Sequence, residues 1–448
     1  MLIESVSNFK ISLNSHVWFP LLAIILRIIP VTADFSYIIL AGYALLGRQQ
    51  IIQALMLSWL FSMLNPVFTP NAEYASFTRY IIILTSFFSI FFRANFKKID
   101  KFTAITVGLG FFFIIHGFFF SQVPQVSILK ALNWIVTIIV LLLAWKGMDS
   151  LEHEDTKKWI MKFILMIVLV SIFTLLNSKI GFYVNINFFH GILNHPQAFG
   201  MTAAGLGAIL IGRASAQKKV TLFLTIMIII CILLIIISGS RTSGLALLLA
   251  VIISSLLFLL RTIRNIKLLF NFSANKLTIM VSLLLIIISV PIIFDRMASF
   301  INKNEKGAAV SVITSFQNSR GVLYAPMMGN ILQNPLKGIG FGLASDLSSM
   351  NIKYFKSIPV SAPVEKGVLP LAVLEEVGVF GFIFFIIWIL ILIRLAIANG
   401  FEALIVLLTF LLFNLGEAGL FSANGFGMLY LIIITSVVTR SKLIKNTN

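Results

Sequence analysis

Residues 222–244 read Leu222-Phe-Leu-Thr-Ile-Met-Ile-Ile-Ile-Cys-Ile-Leu-Leu-Ile-Ile-Ile-Ser-Gly-Ser-Arg-Thr-Ser-Gly244. The run up to Ile237 has no polar face to offer water, so it is neither a surface helix nor an exposed strand. Preceded by Lys218 and Lys219 and closed by small polar residues around Arg241, it reads as a membrane span over 218–237, with the next opening at Arg241. Cys231, the one cysteine of the chain, lies in the middle of the run, where it forms no intrachain disulfide and serves as a small packing residue.

Similar runs recur on both sides. The 448 residues are 59% hydrophobic and only 11% charged, a composition that needs apolar solvent around most of the chain. Spans are expected at roughly 16–31, 33–47, 51–68, 76–93, 103–120, 126–146, 158–178, 196–212, 218–237, 241–261, 276–294, 374–397, 401–415 and 419–438. The first two share one run interrupted by Arg27 and Pro30, which reads as two spans or as one broken helix. The expected fold is an all-α polytopic membrane bundle of about 12–14 helices. Its parts are helices within 1–294, a large loop subdomain at 295–368, and helices plus a tail at 369–448. The polar start of the chain carries no cleavable signal pattern, so the first span is expected to remain as an anchor.

The formal net charge of +18 does not point to nucleic acid, because the basic residues form no stripe interleaved with exposed aromatics. They sort instead by side of the membrane. Arg93, Lys97, Lys98 and Lys101; Lys146, Lys157 and Lys158; Arg213, Lys218 and Lys219; Arg261, Arg264, Lys267 and Lys276; Arg394; and Arg440, Lys442 and Lys445 fall in alternate connections, which therefore face the cytoplasm. The other connections are poor in Lys and Arg, and the long polar stretch from about Asp295 to Lys366 falls among them, on the extracytoplasmic side with both termini opposite. The mixed-charge segment Leu151–Lys158, with His153 between two glutamates, reads as a solvated turn. No His/Cys spacing meets a zinc site, and no cofactor motif is present.

The residues able to carry chemistry gather on the outer side. Arg241, set among Ser238, Gly239, Ser240, Ser243 and Gly244, combines a fixed cation with a helix start, which suits phosphate; the blander reading is a snorkelling arginine. Arg320 lies in Gln317-Asn-Ser-Arg-Gly-Val-Leu-Tyr324, ahead of an amphipathic stretch over Tyr324–Leu332. Together the two arginines offer planar cations for a diphosphate. In Asn334-Pro-Leu-Lys-Gly-Ile-Gly-Phe-Gly342, Gly338 and Gly340 make a tight turn or admit a ligand to the backbone; the strand and Lys-Ser/Thr ending of a nucleotide loop are missing. Glu365, just before the closing span, is a candidate general base, set against the plainer reading of a surface Glu–Lys pair with Lys366. His195 in Asn194-His-Pro-Gln197 is a sugar contact or a helix-start residue before Pro196. Arg79 and Lys130 could meet anionic head groups or snorkel, while Glu375, Glu376 and Glu417 read first as packing or helix-terminus residues.

In this order the marks resemble the O-antigen polymerase and O-antigen ligase superfamily of bacterial envelope glycosyltransferases. They are Ser240-Arg241, Arg320, the segment Asn334–Gly342, and Leu374-Glu-Glu-Val-Gly-Val-Phe-Gly381 before an apolar span. The resemblance implies a bundle similar to the GT-C glycosyltransferases, with a mainly helical periplasmic loop over a cavity, in the inner membrane. It implies a metal-independent transfer of glycan from undecaprenyl diphosphate, with Arg241 and Arg320 on the diphosphate and Glu365 as base. Arg79, His195, Gly338 and Gly340 are expected as further substrate contacts from their own placement rather than from the resemblance, and a chain-length regulator is an expected partner. Ligases of this superfamily carry a His-Asn pair where this chain has Glu365-Lys366, which favours polymerase over ligase or protein oligosaccharyltransferase. A flippase, the rival class, predicts two comparable halves with charges near the bilayer midplane on several spans, whereas this chain concentrates its polar residues in one late loop.

Overall fold

The computed structural model describes residues 18–69, 74–93, 100–182, 188–217, 220–264, 312–355, 357–364 and 366–439. The expected span at 276–294 and the candidate base Glu365 lie outside these residues. Helices follow one another along the chain: α1 (Trp18–Ile28), α2 (Phe35–Ala44), α3 (Arg48–Met63), α4 (Ala75–Arg93), α5 (Lys101–Phe120), α6 (Pro124–Gly147) and α7 (Ser150–Phe173). A single turn, Ser178–Gly181, precedes α8 (Pro196–Ala216), α9 (Leu222–Ile237) and α10 (Arg241–Arg264). Then come α11 (Val312–Gln333), a hairpin of β1 (Lys353–Phe355) and β2 (Ile358–Ser361), α12 (Leu369–Asn399), α13 (Phe401–Phe413) and α14 (Phe426–Val438). Among the described residues six helices are long and apolar enough to cross a bilayer: α5, α6, α7, α8, α10 and α12.

The first apolar run is two short helices joined by a 3-10 turn that begins with Pro30. At 1.5 Å per residue, their 11 and 10 residues each reach about half of a ~30 Å hydrocarbon layer, so neither crosses alone. The charged segment 151–158 is not a solvated turn. Asp149 and Glu152 form a capping box that starts α7 at Ser150, and His153 is buried with its ring 4.9 Å from that of Trp145.

α8 forms the centre of the bundle, and its composition explains why. Gly200, Gly205, Gly207 and Gly212 leave room for Ser240, Phe410, Leu247 and Glu402 respectively, so α10 and α13 approach close to its backbone. Helices in lipid lack a hydrophobic drive towards one another and rely on such small-residue contacts.

The two ends of the bundle differ. At one end Arg48 donates to the carbonyls of Gly147 (2.8 Å) and Arg93 (3.0 Å), and Arg93 donates to Leu45 O (2.7 Å). Lys146 pairs with Asp100 there, and Arg213 with Glu402 at 3.7 Å. Burial pushes the Asp100 carboxyl up, but hydrogen bonds from Lys146 and Thr103 outweigh it and hold the group below its usual range. Arg79, Lys130, His195 and the segment 334–342 sit at the opposite ends of these same helices.

α12 is broken rather than continuous. Gly378 has φ 66° and ψ −173°, a conformation that disfavours any side chain. The break frees backbone groups that the segment 334–342 takes up. Val379 N donates to Pro335 O (2.9 Å), while Ile339 N and Gly340 N donate to Glu375 O and Glu376 O (2.9 Å each). His116 on α5 adds a bond from Nε2 to Lys337 O (2.6 Å). Irregular backbone within an apolar bundle persists when it is satisfied in this way.

Candidate functional site

Segments distant in sequence converge on a cavity of about 700 Å3, within the range of small-molecule sites. α4 contributes Arg79 and Tyr80. α6 contributes Val126, Leu129, Lys130 and Asn133, the i, i+3, i+4, i+7 stripe of one helix face. The start of α8 contributes His195 and Gln197, and the end of β2 with the chain after it contributes Ser361–Val364 and Lys366. Glu376 of α12, the connection before α14 from Glu417 on, and Phe426 and Gly427 at the start of α14 complete the wall.

Hydrogen bonds tie these segments together. Tyr80 donates its hydroxyl to Val360 O (2.8 Å), anchoring the hairpin to α4. The connection between α13 and α14, expected within a span at 419–438, is irregular backbone as far as Gly425. Asn414 organises it: Oδ1 accepts from Gly419 N (3.0 Å) and Leu420 N (2.8 Å), and Nδ2 donates to Phe410 O (2.8 Å). Ala418 N donates to Lys366 O (3.0 Å) and Leu369 N to Asn414 O (2.9 Å), joining this connection to the start of α12. Phe341 and Phe421 of the wall are backed by further rings: Phe341 stacks on Phe113 (4.3 Å), and Phe421 packs edge-on to Phe113 and Trp134.

A charge cluster stands beside the aromatics. Lys366, 5% exposed, reaches Glu375 Oε2 at 2.6 Å and Glu376 Oε1 at 3.0 Å. Glu375, fully buried, also accepts from Asn330 Nδ2 (2.7 Å) and Ser345 Oγ (3.0 Å). Glu376 Oε2 accepts from Gly342 N (2.6 Å), and Lys130 Nζ donates to Gly342 O. Two lysines thus balance two glutamates, the condition under which buried charges are tolerated.

The expected site residues divide accordingly. Arg79 and His195 meet in the cavity with Lys130; His195 also caps α8, its Nδ1 accepting from Gln197 N at 3.2 Å. Gly342 lines the cavity, whereas Gly338 (φ 68°) and Gly340 (φ 126°) do not. A Cβ on Gly338 would meet the Glu376 carbonyl carbon at 2.5 Å, and one on Gly340 would meet Ser121, so both glycines serve the close packing of the turn. Arg241 begins α10 outside the cavity wall; its neighbour Thr242 packs on Gly416, next to cavity-lining Glu417. Arg320 lies on α11. Glu365 is outside the described residues, but Val364 and Lys366 on either side of it line the cavity.

Lys366 is not half of a surface pair; it is buried and doubly paired. Glu375 is the packing residue expected, while Glu376 reaches the cavity as well. Sequence reasoning passed over Asn133 and, beyond Glu417, the connection that follows it. The signal for the connection was Gly416, Gly419, Gly425 and Gly427 around Asn424, masked by the leucine and phenylalanines between them.

The fold is that of an all-α polytopic membrane protein. Compared with known proteins, the chain matches no family model, no curated protein and no solved structure.

Proposed function

We propose that the protein is a polysaccharide polymerase that transfers a glycan from undecaprenyl diphosphate to a sugar hydroxyl of a second lipid-linked repeat. The observation that supports it best is the cavity. It is large enough for a sugar and a diphosphate, bears Arg79, Lys130 and His195 on its wall, and is flanked by apolar helices through which a bilayer-anchored substrate could enter. The bundle end rich in Arg48, Arg93 and Lys146 is read as cytoplasmic by the bias of basic residues, which turns the cavity towards the periplasm of a bacterial inner membrane.

In this reading the acceptor hydroxyl attacks the anomeric carbon as the carbon–oxygen bond to the diphosphate breaks. Glu365 takes the hydroxyl proton, and undecaprenyl diphosphate leaves with the bond's electron pair. Arg79, with Arg241 and Arg320, holds the diphosphate as charge develops on it.

The test is envelope polysaccharide from a deletion strain complemented with wild type, Arg79→Ala, Arg241→Ala, Arg320→Ala or Glu365→Gln, each at normal expression and resolved by length. A polymerase leaves single repeats in the deletion, and the substitutions fail to restore long chains. Free polymer accumulating on undecaprenyl diphosphate would indicate a ligase. Full restoration by all four variants would refute the site and revive transport of lipid-linked oligosaccharide.

A further inference from the structure

Of the buried side-chain polar atoms that lack a hydrogen-bond partner among the described residues, two belong to residues lining the 700 Å3 cavity: Nε of Arg79 and Oδ1 of Asn133. A buried polar atom without a partner is costly, and because both residues line the cavity, a ligand seated there can supply the missing half once the side chain turns towards it. The two atoms ask for opposite chemistry. Arg79 Nε can only donate, and Asn133 Oδ1 can only accept. Phosphate oxygens satisfy the first. An ionised diphosphate has no hydrogen to offer the second, whereas a sugar hydroxyl has.

The setting of Asn133 supports separate roles. It follows Lys130 by three residues on α6, so it lies about 4.5 Å further along the helix towards its other end. Lys130 donates to the carbonyl of Gly342, the residue whose N–H Glu376 accepts, and is not a partner of Asn133 Oδ1. Phe341 and the partly exposed Phe421 also line the cavity and make this part of its wall apolar.

We propose that Asn133 accepts a hydrogen bond from a hydroxyl of the glycan, at a subsite distinct from the anion-binding Arg79, and thereby sets which sugar unit the cavity admits. This rests on the reading of the cavity as a site for a glycan carried on a lipid diphosphate.

The experiment measures binding of two probes to the purified full-length protein in nanodiscs: farnesyl diphosphate, and farnesyl diphosphate bearing N-acetylglucosamine. Wild type is expected to bind the sugar-bearing probe at least tenfold more tightly. Asn133→Leu should bind farnesyl diphosphate within twofold of wild type and lose the tenfold sugar increment, whereas Arg79→Ala should weaken both probes. The Tm of ligand-free Asn133→Leu should equal or exceed that of wild type, because the substitution removes an unsatisfied acceptor. Equal binding of both probes by wild type, an increment that survives Asn133→Leu, or equal losses on both probes with a lowered Tm would overturn the proposal while leaving the functional reading standing. Failure of wild type to bind either probe would overturn the functional reading, and this proposal with it. If Asn133→Leu does not fold, Asn133→Ala is read by the same outcomes.

Discussion

Replacing Lys366 by methionine tests whether the break in α12 is held by charge. The ammonium makes two contacts to carboxylates, at 2.6 and 3.0 Å, and all three side chains are nearly or fully buried. A hydrogen bond to a charged group contributes about 1.5–3 kcal/mol, which for two contacts brackets roughly 3–6 kcal/mol. Removing one partner of a buried ion pair costs about 3–5 kcal/mol, mostly from the charge left uncompensated. Asn330 and Ser345 continue to serve Glu375 after the substitution, so we expect about 4 kcal/mol. The assay uses the protein's own chemistry: Cys231, the one cysteine, is fully buried, so a thiol-reactive dye reports unfolding in detergent. Lys366→Met combined with Glu376→Gln removes one charge of each sign and restores balance, and should recover about 2 kcal/mol of the loss. A single substitution within about 1 kcal/mol of wild type, or a double variant whose losses simply add, would refute the view that charge balance holds this region.

Two further expectations follow from the backbone and from protonation. Gly378→Ala places a Cβ against the Leu336 carbonyl in a conformation, φ 66° and ψ −173°, that is essentially restricted to glycine; the backbone strain alone costs about 1–3 kcal/mol, and release of the turn should speed tryptic cleavage after Lys337. His190 is fully buried and its Nδ1 donates to Leu193 O (2.6 Å); burial, more than the bonds that oppose it, pushes the imidazole below its ordinary value. The folded protein therefore binds this proton less readily than the unfolded chain. Stability should be level above about pH 6.5 and fall below it by up to about 1.4 kcal/mol per pH unit, and His190→Asn should flatten the dependence of Tm on pH between 7.5 and 5.5.

Much of the bundle was legible in order of residues. A run such as Leu222–Ile237 has no route to water, and length and hydropathy suffice to place a helix there. The same reasoning failed for residues 419–425, because a glycine-rich connection carrying Leu420 and Phe421 is as apolar as a helix by composition. It failed also for His153, where neighbouring charges suggested water and the fold supplied Trp145 instead. Gly378 sat in an apolar run, and its positive φ depends on the partners that segment 334–342 brings to the break.

What the sequence determined by itself is the class of solvent, the helical character of the chain and the division of its basic residues between alternate connections. These follow from summed hydropathy and the backbone's need for internal hydrogen bonds in lipid, which act locally along each span. The tertiary structure decided which polar residues share a cavity. Arg79, Asn133, His195, Lys366 and Glu376 come from five separate stretches, and each could equally have snorkelled, capped a helix or paired elsewhere. Their meeting depends on the close approach permitted by the glycines of α8 and on the turn lodged in the broken α12, contacts between distant residues that no local pattern encodes.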